Sequence, residues 1–214
     1  MGFTVYDVSL PVHPGMLVWK DNEARQPGVT ITREAGGVRE SRVSLDCHTG
    51  THVDAPLHMI PGAAPIDRVP IERLIGECRV IDLTGLRDRI SRADLVRVDE
   101  REPVSAGEVL LFKTRNSANL KPPFDRGFVF LAADAAEFLA EKEVRAVGID
   151  YLGIERDQPR HPAHRRLLEK GIPIIEGLNL ARVPAGRYFL FAAPLALVGV
   201  EAAPARVVLL RWQE

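Results

Sequence analysis

The chain has 214 residues, 46% of them hydrophobic, with 28 Lys and Arg against 29 Asp and Glu and a formal net charge of -1. Such a length and apolar content suit one domain, 1–214, with a full core. The even charge balance excludes the basic footprint of a nucleic-acid binder, and no stretch is long and apolar enough for a membrane span.

Residues 5–10 read as a short strand ending at Pro11, followed by a turn-rich loop to Trp19. That indole suits a lid over an aromatic substrate and a satellite of the core equally. Residues 29–34 and 41–47 alternate as strands, and Gly36-Gly37 joins them as a hairpin. The second strand runs straight into His48, so the motif that follows is expected to hang from a sheet end.

Beyond residue 58 the pattern changes to strand–helix alternation. Strands are expected at 79–83, 109–113, 128–131, 146–149 and 172–175, with Pro173 placing the last at an edge or bulge. Ser91 and Asp94 form a capping box that opens a helix to about Val98. Further helices are expected at 133–142 and 163–170, the latter stopped by Gly171. Residues 116–124 form a loop long enough to border a pocket, and 153–162 are irregular and charged. Strands at 188–193 and 206–212 finish the chain. The reading is mixed α/β, antiparallel first and partly parallel later.

The densest chemistry lies in Cys47-His48-Thr49-Gly50-Thr51-His52-Val53-Asp54-Ala55-Pro56-Leu57-His58. Two imidazoles and a carboxylate suit zinc, manganese or iron. A helix is excluded by Thr49, Thr51, Val53, Gly50 and Pro56. A straight strand would hold His48 and His52 about 13 Å apart, too far to share an ion. The chain must therefore turn at Gly50, which is free to adopt positive φ. Then His52 and Asp54 point the same way, His48 folds in, and Pro56 redirects the chain so that His58 approaches. The bland alternative is a histidine-rich loop that binds nothing. Cys47 has the opposite parity to His48 and is expected to pack inward.

A second group comprises His161, His164 and Glu176. A carboxylate where an apolar strand gives out often faces a crevice. A surface or capping role suits His161 better; for His164 and Glu176 the pattern alone leaves the choice open. With two cysteines there is no disulfide framework, and no signal peptide opens the chain, so a cytoplasmic location is expected.

The segment 48–58 closely resembles the H-x-G-T-H-x-D-x-P-x-H signature of the cyclase family, which includes bacterial kynurenine formamidase and isatin hydrolase. The resemblance extends through Asp7 to Leu10, Val18-Trp19, residues 109–114, 148–150 and 164–177. It implies a swivelling β/β/α fold and a homo-oligomer, dimer or tetramer. It implies that His48, His52 and Asp54 hold one divalent metal, that Asp54 bridges to a second held by His164 and Glu176, and that His58 is the acid/base. Two zinc ions per chain are expected, with manganese also suitable. Trp19 matches a tryptophan that packs on an aromatic substrate. The chain has Trp19-Lys20-Asp21-Asn22 where formamidases carry Trp-Pro-Gly-Asp, a departure that bears on substrate more than on chemistry. The implied activity is hydrolysis of a small-molecule aryl formamide, N-formylkynurenine first. A hydrolase of isatin-like rings or lactones is the alternative. A metal- or ligand-binding protein without turnover is the rival from another class.

Overall fold

The computed structural model describes residues 2–213. In chain order its elements are β1 (Phe3–Asp7), β2 (Gly28–Ala35), β3 (Val38–Ser44), β4 (His52–Asp54), β5 (Ile75–Asp82), β6 (Arg89–Ile90) and α1 (Arg92–Arg101). They continue as β7 (Val109–Lys113), β8 (Phe130–Leu131), α2 (Ala133–Glu141), β9 (Ala146–Ile149), α3 (Pro162–Glu169), β10 (Ile174–Glu176), β11 (Gly186–Pro194) and β12 (Ala202–Trp212). Eight strands form one mixed sheet in the order β1-β12-β11-β5-β7-β9-β10-β4. Because β12 also pairs with β4, seven of them close into a barrel-like ring and β1 lies outside it on β12. β5, β7, β9 and β10 run parallel to their neighbours in turn, and the remaining pairs are antiparallel. This is the expected mixed α/β, swivelling β/β/α arrangement.

Strand alternation divides the core. Val80, Val109, Leu111, Ile175, Leu190 and Leu209 fill the ring. Their neighbours Ile81, Leu110, Phe112, Val147 and Ile174 turn outward against Leu95, Phe138, Leu139, Leu167 and Leu168 of the three helices. β7 is buried on both faces, which is why it reads as an unbroken apolar run. At Gly148 a side chain has no room: a Cβ would stand 2.6 Å from Leu111 Cδ2 and 2.8 Å from Leu178 Cδ1.

Several expected boundaries shift. β1 stops at Asp7 rather than Leu10, because Asp7 turns to accept the Ser9 N–H and pairs with Arg206. β3 ends at Ser44, short of Cys47, and the β2–β3 ribbon is separate from the main sheet. The metal-type motif therefore does not hang from that hairpin; it is anchored through β4 between β10 and β12. Pro173 is neither in an edge strand nor at a bulge. It precedes β10, an interior strand, and lends its carbonyl to Val147 N–H. α1 runs on to Arg101. β12 begins at Ala202 rather than Arg206; its first residues are small and include Pro204, so they carry no strand signal, yet they pair with β4.

Candidate metal centre and pocket

β4 is three residues long and wholly buried. Its alternation sends Val53 into the ring and puts His52 and Asp54 together on the other face. The antiparallel register sets Glu176 directly opposite His52, and directly opposed side chains in a sheet share a face. The Nε2 of His52 lies 3.3 Å from Glu176 Oε2 and 3.5 Å from Asp54 Oδ1.

The turn before β4 is tightly specified. Gly50 has φ +63°, and a Cβ on Gly177, itself at φ +70°, would sit 2.3 Å from the Gly50 carbonyl oxygen. Glycine is needed at 177 for both the dihedral and the close approach. Thr51 Oγ1 donates to the Gly177 carbonyl (2.6 Å) and accepts from Leu10 N–H (2.8 Å), pinning the turn to the end of β10. His48 thereby folds back until its Nδ1 is 3.0 Å from Asp54 Oδ1, while its Nε2 is 3.5 Å from Glu201 Oε1. His52 Nδ1–H donates to the Gly50 carbonyl at 2.9 Å, so in the neutral ring Nε2 carries the lone pair.

His164 arrives from the first turn of α3, whose Leu167 and Leu168 dock on the sheet. Its Nε2 is 3.7 Å from Asp54 Oδ2 and 3.3 Å from Glu176 Oε1. His58 follows β4 on a single 3₁₀ turn started by Pro56, and its ring centroid is 4.4 Å from that of His48 and 5.7 Å from that of His164. The structure thus brings His48, His52, Asp54, His58, His164 and Glu176 together. His161 stays at the rim, about half exposed, near Glu155 rather than Asp54.

Both carboxylate oxygens of Asp54 and the Nε2 of His52 are buried with no hydrogen-bond partner. Orphaned buried polar atoms are costly, so convergent ones mark a place for a ligand. Atoms bound about 2.0–2.1 Å from a tetrahedral ion stand about 3.3 Å apart. The separations of 3.0 to 3.7 Å that Asp54 makes with His48, His52 and His164, and that His164 makes with Glu176, match that spacing. Asp54 turns one oxygen towards His48 and His52 and the other towards His164.

The ionisation states follow from the same crowding. Burial would raise Glu176, but the imidazoles of His164 and His52 hold its carboxyl well below the usual range. Burial would lower His164, yet hydrogen bonds to Glu155 and Glu176 and the charge of Asp54 push it up to about 10. For His58 burial wins, and its pKa falls below the ordinary 6.5. Cys47 is half-buried, and burial with Glu201 and Asp46 nearby pushes its thiol up, so it is no ready nucleophile.

A cavity of about 420 Å³ opens over the cluster, with Trp19, Met59 and Leu152 as apolar walls and Arg25 and Glu201 at its polar side. That volume suits a small molecule. A hollow of about 440 Å³ at Glu77, Cys78 and Arg145 shares none of these groups. Trp19 leans on Phe124, with ring centroids 4.9 Å apart, and Gly153 makes room for it: a Cβ there would lie 2.6 Å from the indole Cζ3. Trp19 is therefore both a satellite of an aromatic cluster and a wall of the cavity. Glu155 and Glu201, which contact His164 and His48, lie outside any spaced motif and carry no signal in the sequence.

Residues 6–156 match the family model described as putative cyclase. The chain belongs to the cyclase family. Kynurenine formamidase of Salinibacter ruber (strain DSM 13855 / M31) is 34% identical over 206 residues, 95% of either chain. A solved structure described as a potential metal-dependent hydrolase with cyclase activity is 47% identical, with a TM-score of 0.91 over 100% of both chains. Isatin hydrolase A from Ralstonia solanacearum shares the fold at 22% identity, with a TM-score of 0.85 over 98% of this chain and 92% of that one. This cyclase-family chain is a metal-dependent amidohydrolase, acting on carbon–nitrogen bonds of a small molecule. That sets aside the rival reading of a binding protein without turnover. Among the described residues, no helix is long and apolar enough to cross a membrane.

Proposed function

We propose that this cyclase-family enzyme hydrolyses an aryl formamide, and we commit to N-formylkynurenine, which yields kynurenine and formate. The observation that carries the reading is the set of orphaned atoms on Asp54 and His52, facing His48, His164 and Glu176 beneath a cavity walled by an indole. His48, His52 and Asp54 would hold one ion, and Asp54, His164 and Glu176 a second; the mixed nitrogen and oxygen donors favour zinc, with manganese also accommodated. Bound there, a divalent ion acidifies water to a pKa near 7 and polarises a carbonyl oxygen. His58, neutral at pH 7, takes a proton from the attacking water and delivers it to the leaving nitrogen. Trp19 orients the aryl ring.

Protein purified without added metal, then assayed with zinc, with manganese and with a chelator on N-formylkynurenine, formanilide and isatin, tests this directly. Metal-dependent turnover of the formamides supports the reading. Turnover of isatin alone moves the substrate to the cyclic amide, and full turnover with chelator present removes the mechanism.

Trp19→Ala should raise KM for N-formylkynurenine by about 10-fold while changing KM for a small aliphatic formamide little, since stacking contributes roughly 0.5–1.5 kcal/mol beyond area burial. Equal effects in the two assays would leave the indole a purely structural role.

Loading the metal-free protein with zinc at pH 7 should release at least one proton, supplied first by His164, with His52, whose pKa Glu176 and Asp54 also raise against burial, adding to it. The His164 imidazole is charged below about 10, and ligation through Nε2 displaces that proton; the release fades as pH rises through about 10. Calorimetry in buffers of different ionisation enthalpy reads the number, and zero protons would exclude His164 as a ligand.

We also propose a homo-oligomer. Every residue of β2 and β3 except Gly28 is exposed, and Val29, Ile31 and Val43 share one face of the ribbon. A lone two-stranded ribbon is marginally stable in water, so a second copy is the cover it calls for. Light scattering should give at least twice the 23.6 kDa chain mass; a monomer removes the proposal.

A further inference from the structure

We propose that Glu155 is a positioning residue that holds the His164 ring so that Nε2 faces Asp54 and Glu176, and that it thereby sets the affinity for the ion on that side. This rests on the two-ion centre proposed above.

Glu155 lies in the irregular stretch between β9 and α3 and is only 2% exposed. A carboxylate so buried is costly unless its oxygens are occupied. Oε1 accepts Ala163 N–H at 2.8 Å, and Oε2 accepts His164 N–H at 3.0 Å. These are two of the donors a helix leaves unpaired at its start, and His161, at the cap position of α3, supplies no side-chain bond to them. Glu155 thus caps the helix from outside it, with its charge at the favourable end of the dipole.

The third bond concerns the metal centre. His164 Nδ1–H donates to Glu155 Oε2 at 2.5 Å. Once an ion displaces the proton on Nε2, the neutral imidazole keeps its one N–H at Nδ1 and turns its lone pair outward at Nε2. That nitrogen faces Glu176 Oε1 and Asp54 Oδ2. One carboxylate therefore fixes where α3 begins and how its histidine is turned. Glu155, His161 and His164 also approach one another closely enough to suggest a cation site of their own. Both Glu155 oxygens already receive N–H groups and His164 Nδ1 is a donor, so that trio is committed to hydrogen bonding.

Glutamine at 155 would offer one acceptor oxygen to three converging N–H groups. If that oxygen serves the helix, its NH₂ faces His164 Nδ1 and favours the tautomer with hydrogen on Nε2, where the ion belongs.

The test is a zinc titration of the metal-free full chain against a competing chromophoric chelator, for wild type, Glu155→Gln and Glu155→Asp, with the Tm of each metal-free protein. Wild type should take two ions. Glu155→Gln should weaken one by about 10- to 100-fold and leave the other unchanged, the usual effect of losing a partner behind a ligating histidine. Glu155→Asp, which keeps the charge by the helix start but withdraws the oxygens, should weaken the same ion less, and it decides the matter if the glutamine variant does not fold. A fall in Tm with both affinities unchanged overturns the proposal and leaves Glu155 a helix cap. Wild type taking fewer than two ions overturns the two-ion centre, and this proposal with it.

Discussion

Replacing His58 by alanine should lower kcat by about 10²–10⁴-fold, the usual worth of a general acid/base, with metal content and KM near wild-type values. Attack on an amide carbonyl is only half the task. The tetrahedral intermediate must expel an amine, and an aryl amide anion leaves poorly unless a proton arrives as the carbon–nitrogen bond breaks. His58 stands over the cluster, within ring-contact distance of His48 and His164, and lines the cavity above it. Burial keeps its pKa below 6.5, so the base form is present at neutral pH, and kcat should fall on the acid side as that imidazole is protonated. The loss in the variant should shrink for nitro-substituted formanilides and phenyl esters, whose leaving groups need less protonation. One nitrogen of His58 also lies within 4.8 Å of ligand atoms of His48 and Asp54. Loss of an ion in His58→Ala would therefore assign it to ligation, and a variant with full rate and full metal would place the proton shuttle elsewhere.

Asp54→Asn should cost both ions and reduce turnover to that of the chelated enzyme. Its oxygens are fully buried, lack hydrogen-bond partners and face the two histidine sets separately. Asparagine keeps the size but removes the charge, and its NH₂ points a donor where an ion needs an acceptor. Metal catalysis contributes several kcal/mol of transition-state stabilisation. At about 4 kcal/mol the expected loss is on the order of 10³-fold. Metal analysis and kcat/KM read the result together. Retention of either ion would show that Asp54 does not bridge.

The motif 48–58 was legible because its chemistry is local. A turn at Gly50 is forced by the reach of the backbone, and the shared face of His52 and Asp54 follows from strand alternation. The buried strand at 109–113 and the capping box at Ser91 were legible for the same reason, since apolar runs and caps depend on near neighbours. For His164 and Glu176 pattern alone left the choice open, and the family resemblance implied a ligand role for both. What puts Glu176 opposite His52 is a strand register across 124 positions of chain, and no local pattern encodes that. The start of β12 was missed because Ala202, Ala203 and Pro204 have low strand propensity; pairing with β4 overrides it. The hairpin was readable as a ribbon, but its separation from the main sheet was not. Glu155 and Glu201 lie in no motif; only the packing of α3 and of β12 beside β4 brings them to the imidazoles. Candidate ion-binding side chains and the place where the chain must bend were readable without the fold, because those depend on bond lengths, alternation and donor chemistry. Which carboxylate each histidine meets was readable only in the fold, because that depends on long-range pairing and on where a buried helix begins.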